Sequence, residues 1–130
     1  MSDDIGITLL ASAREALKYA YAPYSEFKVG AAVLTKDGRI YLGANIENAS
    51  YGLAVCAERT AIFHALVNGA RQIKSLAVTT QAIPKSPGNG MPCGACRQVM
   101  AEFMEPTGKV IIDNVGIFSL AELLPEPFKL

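Results

Sequence analysis

The sequence has no excess of charge of either sign: 12 Lys and Arg stand against 12 Asp and Glu in 130 residues. Binding to nucleic acid or to a membrane surface needs a basic excess, so the balance argues against both. No Lys/Arg cluster is present that would hold a single strand locally. Apolar runs fall short of the ~20 residues that a membrane span requires. The start, Met1-Ser2-Asp3-Asp4, is acidic and lacks the basic-then-apolar order of a secretory signal. There is no internal repeat, low-complexity tract or linker. These absences predict a cytoplasmic chain forming one domain over residues 1–130, with a small and roughly neutral molecule as its partner. Cysteine is also scarce, at three residues. An odd number in a reducing compartment argues against a disulfide framework and leaves thiols free to bind metal.

What the chain does have is apolar content. Hydrophobic residues make up 51% and charged residues 18%, the composition of a globular domain with a real core. The low charged fraction predicts that part of the surface is buried against other copies of the chain.

Periodicity and punctuation divide the sequence into elements. Leu10, Ala13, Leu17 and Tyr21 recur at helical spacing, which predicts an amphipathic helix over Ile5–Tyr21, ended by Pro23. Phe27–Thr35 is a nearly continuous apolar run, the pattern of a strand covered on both faces. Asp37-Gly38 marks a turn into a second strand, Ile40–Asn45, followed by a polar loop to Leu53. Cys56–Asn68 is apolar over most of its circumference past Thr60, which predicts a central buried helix. Ile73–Thr80 reads as a strand and Ala82–Pro92 as a Pro/Gly-rich loop. Cys93–Met104 reads as a helix stopped near Pro106. Lys109–Ile112 and Val115–Phe118 read as short strands. Ser119 and Glu122 form a capping box for a last short helix, Leu120–Leu124. Strands mixed with covering helices predict an α/β fold, a three-layer α-β-α sandwich around a mixed five-stranded sheet.

The chemistry concentrates on Cys56, Cys93 and Cys96. In Pro92-Cys93-Gly94-Ala95-Cys96 the C-x-x-C pair at a helix start puts both sulfurs on one side of the first turn. Cys56 opens the other helix and must reach the same point through the fold. Three thiolates with a fourth position open is the pattern of a catalytic zinc site, since a structural site is closed by four protein ligands. Three thiolates leave a formal charge of about −1 on the zinc centre, which would make a bound water less acidic. Helix N-termini at the ligands, and Arg59 one turn on from Cys56, would compensate the third thiolate. Glu58, two residues after Cys56, points toward the metal but is too close in sequence to chelate comfortably. That is the place of a general acid/base. A ligand, any residue, then Glu, followed later by P-C-x-x-C, is the known signature of zinc deaminases of nucleobases.

The chain resembles the small homotetrameric zinc-dependent cytidine deaminases along almost its whole length. The resemblance is carried by Tyr21–Phe27 (YAPYSEF), Val29–Ala32 (VGAA), Gly43–Tyr51 (GANIENASY), Cys56–Ala61 (CAERTA), Pro92–Gln98 (PCGACRQ) and Leu123–Phe128 (LLPEPF). It implies a cytidine deaminase-like fold, one Zn²⁺ per chain and a nucleoside substrate. The reaction it implies is hydrolytic deamination of cytidine and 2′-deoxycytidine to uridine and 2′-deoxyuridine with release of ammonia, as in pyrimidine salvage. A zinc-bound hydroxide would attack C4 while Glu58 shuttles protons. By the same resemblance, Asn45 and Glu47 hydrogen-bond the ribose 3′-hydroxyl as a buried pair. Phe27 packs on the pyrimidine, and the backbone of Ala57 contacts the base carbonyl. Tyr51 and Phe128 reach a neighbouring subunit's site, so the sites lie at subunit interfaces. Segments 82–91 and 108–119 depart from the family pattern and bear on substrate range.

Several plainer readings compete. His64 as a fourth zinc ligand would close a structural site, but it lies about two helical turns (~12 Å) beyond Cys56. It reads instead as a partly buried or interface histidine. Cys93 and Cys96 alone would suit a redox pair. Glu58 alone would suit a first-turn helix glutamate. Arg97 and Gln98 suit helix capping or subunit contacts. A deaminase of modified aminopyrimidine nucleosides such as blasticidin S, a nucleic-acid editing deaminase and a zinc-stabilised interaction module remain as alternative functions. An interaction module has no use for a carboxylate poised at an open metal position.

Overall fold

The computed structural model describes residues 3–81 and 90–130. The chain runs α1 (Asp3–Ala16), β1 (Val29–Thr35), β2 (Ile40–Ala44), α2 (Ala57–Val67), β3 (Ile73–Thr80), α3 (Gly94–Phe103), β4 (Met104–Ile112), β5 (Gly116–Ser119) and α4 (Leu120–Leu123). The five strands form one sheet in the order β2-β1-β3-β4-β5. Among the described residues β3 and β4 pair in parallel and the other neighbours are antiparallel. The expected mixed five-stranded sheet is present.

Alternation along the strands builds two cores. Ala31, Val33, Leu76, Val78, Val110 and Ile112 face one side, where Ala61 and Ile62 of α2, Met100 of α3 and Leu120 and Leu123 of α4 join them. Ala32, Leu34, Ala77 and Ile111 face the other side, against Leu9 and Ala13 of α1. The result is the expected three layers, and β1 is buried on both faces. α1 is further held by Arg14, whose guanidinium makes hydrogen bonds of 3.0 and 2.8 Å to the Asp113 carboxylate after β4.

Two glycines set how closely the helices approach the β1–β2 hairpin. A Cβ on Gly43 of β2 would stand 2.2 Å from the Ala61 amide nitrogen and 2.5 Å from the Ala57 carbonyl oxygen. The α2 backbone therefore lies directly on the strand, and any side chain there would displace it. Gly30 of β1 does the same for α1, with the Ala13 carbonyl oxygen 2.2 Å from a Cβ. Thr60 fastens α2 from its own side, donating to the Ala44 carbonyl at 2.8 Å.

Several boundaries differ from the sequence expectation. α1 ends at Ala16, well before Pro23, and passes into a 3-10 turn at Leu17–Tyr19. The chain at Ala20 is already extended, and Tyr21 bridges to Ile46. α2 is not buried all round. Ala57, Glu58, Ala61, Ile62 and Ala65 face inward, whereas Phe63 and Val67 are exposed at 44% and 82%. One helix stripe packs on the sheet, and the apolar residues beyond it remain outside.

α3 ends at Phe103 without the help of Pro106, and β4 starts at once with Met104. Pro106 lies where the register with β3 jumps from Ile73↔Met104 to Ser75↔Lys109, a stretch that needs no ladder donor from it. The capping box of Ser119 and Glu122 is present. The expected Ala82–Pro92 loop lies outside the described residues as far as residue 89.

Candidate active site

α2 and α3 both start at one end of the sheet, and each is N-capped by a cysteine: Cys56 for α2 and Cys93 for α3. Cys93 Sγ accepts the Cys96 amide at 3.4 Å, as a capping side chain does. Cys56 makes no such cap bond, and its sulfur turns toward the other two. Cys56 Sγ lies 3.9 Å from Cys93 Sγ, and Cys93 Sγ lies 3.5 Å from Cys96 Sγ. All three sulfurs fall within 4.8 Å of one another. Sulfurs about 2.3 Å from a tetrahedral zinc stand ~3.8 Å apart, close to the two spacings here, so the donor set suits such an ion. His64 takes no part. It is exposed, with Nδ1 2.9 Å from the Leu42 carbonyl, its ring edge-on to Tyr41.

The electrostatics of the cluster are uneven. A hydrogen bond from the Cys96 thiol, then those of Arg59 and Cys93, draw the Cys56 thiol down to about 5 against the opposing pull of burial. Cys96 is fully buried, and its thiol is pushed far up by the proton it shares toward Cys56 and by burial. The Arg59 guanidinium reaches the Cys56 sulfur at 3.5 Å and is itself raised by that contact. Arg59 Nε is buried with no hydrogen-bond partner among the described residues. The half-buried Arg59 cation is stabilised by the negative sulfur it reaches.

Beside the sulfurs opens a cleft of about 500 Å³. Its lining includes Phe27, Asn45, Glu47, Tyr51, Cys56, Ala57, Glu58 and Cys93. Glu58, in the first turn of α2, is only 5% exposed. Burial pushes its carboxyl up to about 7, with the neighbouring Cys56 adding and Arg59 opposing. A carboxyl balanced near neutrality can both take and return a proton.

The sugar-side candidates are half-buried, not buried as expected. Asn45 is also engaged with backbone: its Oδ1 accepts the Val29 amide at 2.9 Å and its Nδ2 donates to the Phe27 carbonyl at 2.8 Å. Glu47 Oε1 accepts the Tyr24 and Ser25 amides at 3.0 and 3.1 Å. The Ser25 hydroxyl, nearest of its donors, holds the Glu47 carboxyl below its ordinary value.

The remaining candidates separate. Tyr51 stands at the cleft rim, 92% exposed. Phe128 is 71% exposed and does not line this cleft. Arg97 and Gln98 turn out to be internal ties. Arg97 donates to the Pro92 and Leu123 carbonyls, both at 2.8 Å. The Gln98 amide pairs with both backbone groups of Phe128 at 3.1 and 3.0 Å. Ser25, Val78, Thr80, Gly90 and Met91 also border the cleft and were not singled out from sequence. Ser25 lies within the Tyr21–Phe27 segment that carries the family resemblance, though no role was given to it.

Residues 5–113 match the family described as the cytidine and deoxycytidylate deaminase zinc-binding region. The chain belongs to this family. With membership goes the enzyme class, a zinc-dependent hydrolase, and the three-cysteine cluster suits one zinc. A cytidine deaminase of Halalkalibacterium halodurans is 48% identical over 124 residues, covering 92% of this chain and 91% of that protein. The crystal structure of cytidine deaminase from Burkholderia pseudomallei superposes with a TM-score of 0.83 at 46% identity, covering 94% of this chain and 98% of the other. That of Mycobacterium tuberculosis gives 0.83 at 37% identity, covering 95% and 97%. Among the described residues no helix is long and apolar enough to cross a membrane.

Proposed function

We propose that this chain deaminates cytidine and 2′-deoxycytidine by hydrolysis, releasing ammonia, as a cytoplasmic enzyme of pyrimidine salvage. The observation that carries the reading is a nearly neutral-point carboxyl, Glu58, sealed at the floor of a nucleoside-sized cleft beside three convergent thiols. In this reading Cys56, Cys93 and Cys96 hold one zinc. Zinc there supplies Lewis acidity that makes water a competent nucleophile near neutral pH.

Everything else is work for the chain's own groups. Glu58 receives a proton from the attacking water and delivers it to N3 of the cytosine ring. It then takes the proton of the new C4 hydroxyl and passes it to the amine, which departs as ammonia as the C4–N bond breaks and the C4 carbonyl forms. Burial, which raises this carboxyl, favours its holding a proton between the two transfers. Phe27 packs on the pyrimidine. Ala57 is the first residue of α2, where the amide has no intrahelical acceptor and is free to meet the base carbonyl. Asn45 and Glu47 take the ribose 3′-hydroxyl. The exposed aromatics Tyr51 and Phe128, with Phe63 and Val67 on the outer face of α2, support a homotetramer in which neighbours complete one another's sites. The substrate is a free nucleoside; the zero net charge offers nothing to a nucleic-acid strand.

The direct test is loss of the cytidine absorbance band in zinc-loaded protein, with 2′-deoxycytidine and blasticidin S assayed beside it. Turnover of the two unmodified nucleosides is expected. Zinc-loaded protein that leaves both untouched would remove the assignment. Arg59 offers a separate check. Partners that tune a metal ligand are worth about 10–100-fold in affinity or activity. Arg59→Gln should therefore weaken zinc in a chelator competition, or lower kcat at pH 7, by that order. Unchanged affinity and rate would mean that Arg59 does not balance the third thiolate.

A further inference from the structure

We propose that Ser25 is a positioning residue whose hydroxyl joins the sugar-binding carboxylate to the base-stacking segment, so that recognition of the 3′-hydroxyl and placement of the base are set by one hydrogen-bonded unit. The proposal rests on the roles given above to Glu47, Asn45 and Phe27.

The Ser25 hydroxyl donates to Glu47 Oε2 and accepts the Phe27 amide at 3.0 Å. Its backbone amide meanwhile donates to Glu47 Oε1. Ser25 thus grips both carboxylate oxygens and one backbone group of the aromatic residue. The other backbone polar group of Phe27, its carbonyl, is held by Asn45. Between Ser25 and Phe27 the chain passes through Glu26 at φ +59°. That is the left-handed region, which costs a non-glycine residue and persists where surrounding contacts enforce it. The Glu26 amide is anchored to the Ala22 carbonyl at 2.9 Å.

Counting the remaining hydrogen-bonding capacity shows what this unit selects. An ionised carboxylate offers about four lone-pair sites. The Tyr24 amide, the Ser25 amide and the Ser25 hydroxyl occupy three of those on Glu47. One site is left, on the oxygen that the Ser25 hydroxyl orients. The Asn45 amide has given one of its two N–H groups to Phe27 and one of its two lone pairs to Val29, which leaves one donor and one acceptor on it. The free Glu47 acceptor beside the free Asn45 donor is the complement of a single hydroxyl, which donates once and accepts. Removing the Ser25 hydroxyl frees a second site on Oε2 and releases the Phe27 amide. The carboxylate then turns and hydrates, and selection by one directed lone pair is lost.

The experiment compares cytidine with 3′-deoxycytidine on wild type, Ser25→Ala and Ser25→Thr, each with zinc content and circular dichroism checked. Wild type should favour the 3′-hydroxyl by ~100-fold or more in kcat/KM. Ser25→Ala should cut that preference about tenfold, mostly through a higher KM for cytidine, as loss of a hydrogen bond to a charged group implies. Ser25→Thr keeps a hydroxyl and should restore the preference. A preference unchanged in Ser25→Ala, or lost in Ser25→Thr, overturns the proposal. So does an equal fall for both substrates, which is the mark of a purely structural serine. Wild type that does not discriminate at all removes the reading of Glu47 and this inference with it, an outcome distinct from the others.

Discussion

Glu58→Gln is expected to lower kcat for cytidine by about 10²–10⁴-fold, the contribution of a positioned acid/base, while the protein still holds one zinc per chain. Glutamine matches glutamate in size and keeps a polar end at the cleft floor, so the site persists and only the movable proton goes. A cytidine absorbance assay run beside a zinc assay reads both. A variant that keeps most of its rate would transfer the proton role to another group.

The same substitution has a second consequence in the metal-free protein. The Glu58 carboxyl titrates near 7 when folded against an ordinary value of 4.5. Between those values the unfolded chain has released a proton that the folded chain still holds. Stability therefore falls as pH rises through that window, by about 1.4 kcal/mol per unit and about 3 kcal/mol in all. The glutamine of the variant has nothing to release. Denaturant unfolding of the chelated proteins should show the variant gaining on wild type as pH rises from 4.5 through 7. The neighbouring Cys56, drawn down to about 5, acts with the opposite sign: it stabilises above its ordinary value and loses this as pH falls. It is present in both proteins, so the difference reports Glu58 together with its coupling to Cys56.

Cys96→Ser should abolish zinc retention and, with it, activity by about 10³-fold or more, the scale of several kcal/mol of lost Lewis-acid stabilisation. Cys96 is fully buried, behind the two sulfurs that border the cleft. A hydroxyl there is a poor substitute for a thiolate and cannot be replaced from solvent. Chelation of wild type should reproduce the loss, and added Zn²⁺ should restore wild type but not the variant. Metal content per chain decides the matter. Full zinc occupancy in Cys96→Ser would show that the buried sulfur is not a ligand. Burying the serine hydroxyl costs roughly 1–3 kcal/mol, so the variant should remain folded by circular dichroism.

The cluster was legible because sequence spacing constrains it. Cys93 and Cys96 sit on one helical turn, and helix starts are among the better-marked positions in a sequence. Cys56, 37 residues from Cys93, opens the other helix and was expected to reach the same point through the fold; the structure brings the sulfurs together. Glu58 followed from Cys56, because two residues along one helical start leave little freedom. The layer order was legible too, since Phe27–Thr35 carries apolar residues at both parities.

Other features depend on contacts that no local pattern encodes. β4 follows α3 without a connector because Met104 both caps the helix and pairs with Ile73. Arg97 and Gln98 reach carbonyls and amides of α4 and the tail through tertiary packing alone. The half-exposure of α2 reflects a helix pressed on a sheet along one stripe, while hydrophobic content by itself reports only that the residues are apolar. Asn45 looked like a ligand contact and is equally a brace, since its amide holds Phe27 and Val29 in place.

The glycines at positions 30 and 43 have a consequence for how the protein tolerates change. On each face of the hairpin a helix rests on main chain, so the gap between layers there is a fixed thickness of backbone, as with a gauge block between machined plates. Such a gap does not scale with the bulk of nearby side chains. Exchanges at Ile62, Leu76 or Val110 alter how densely the interior is filled, yet the start of α2 keeps its height above the sheet. Drift in the interior is thereby decoupled from alignment of the reacting groups. One can vary across related sequences while the other stays in register.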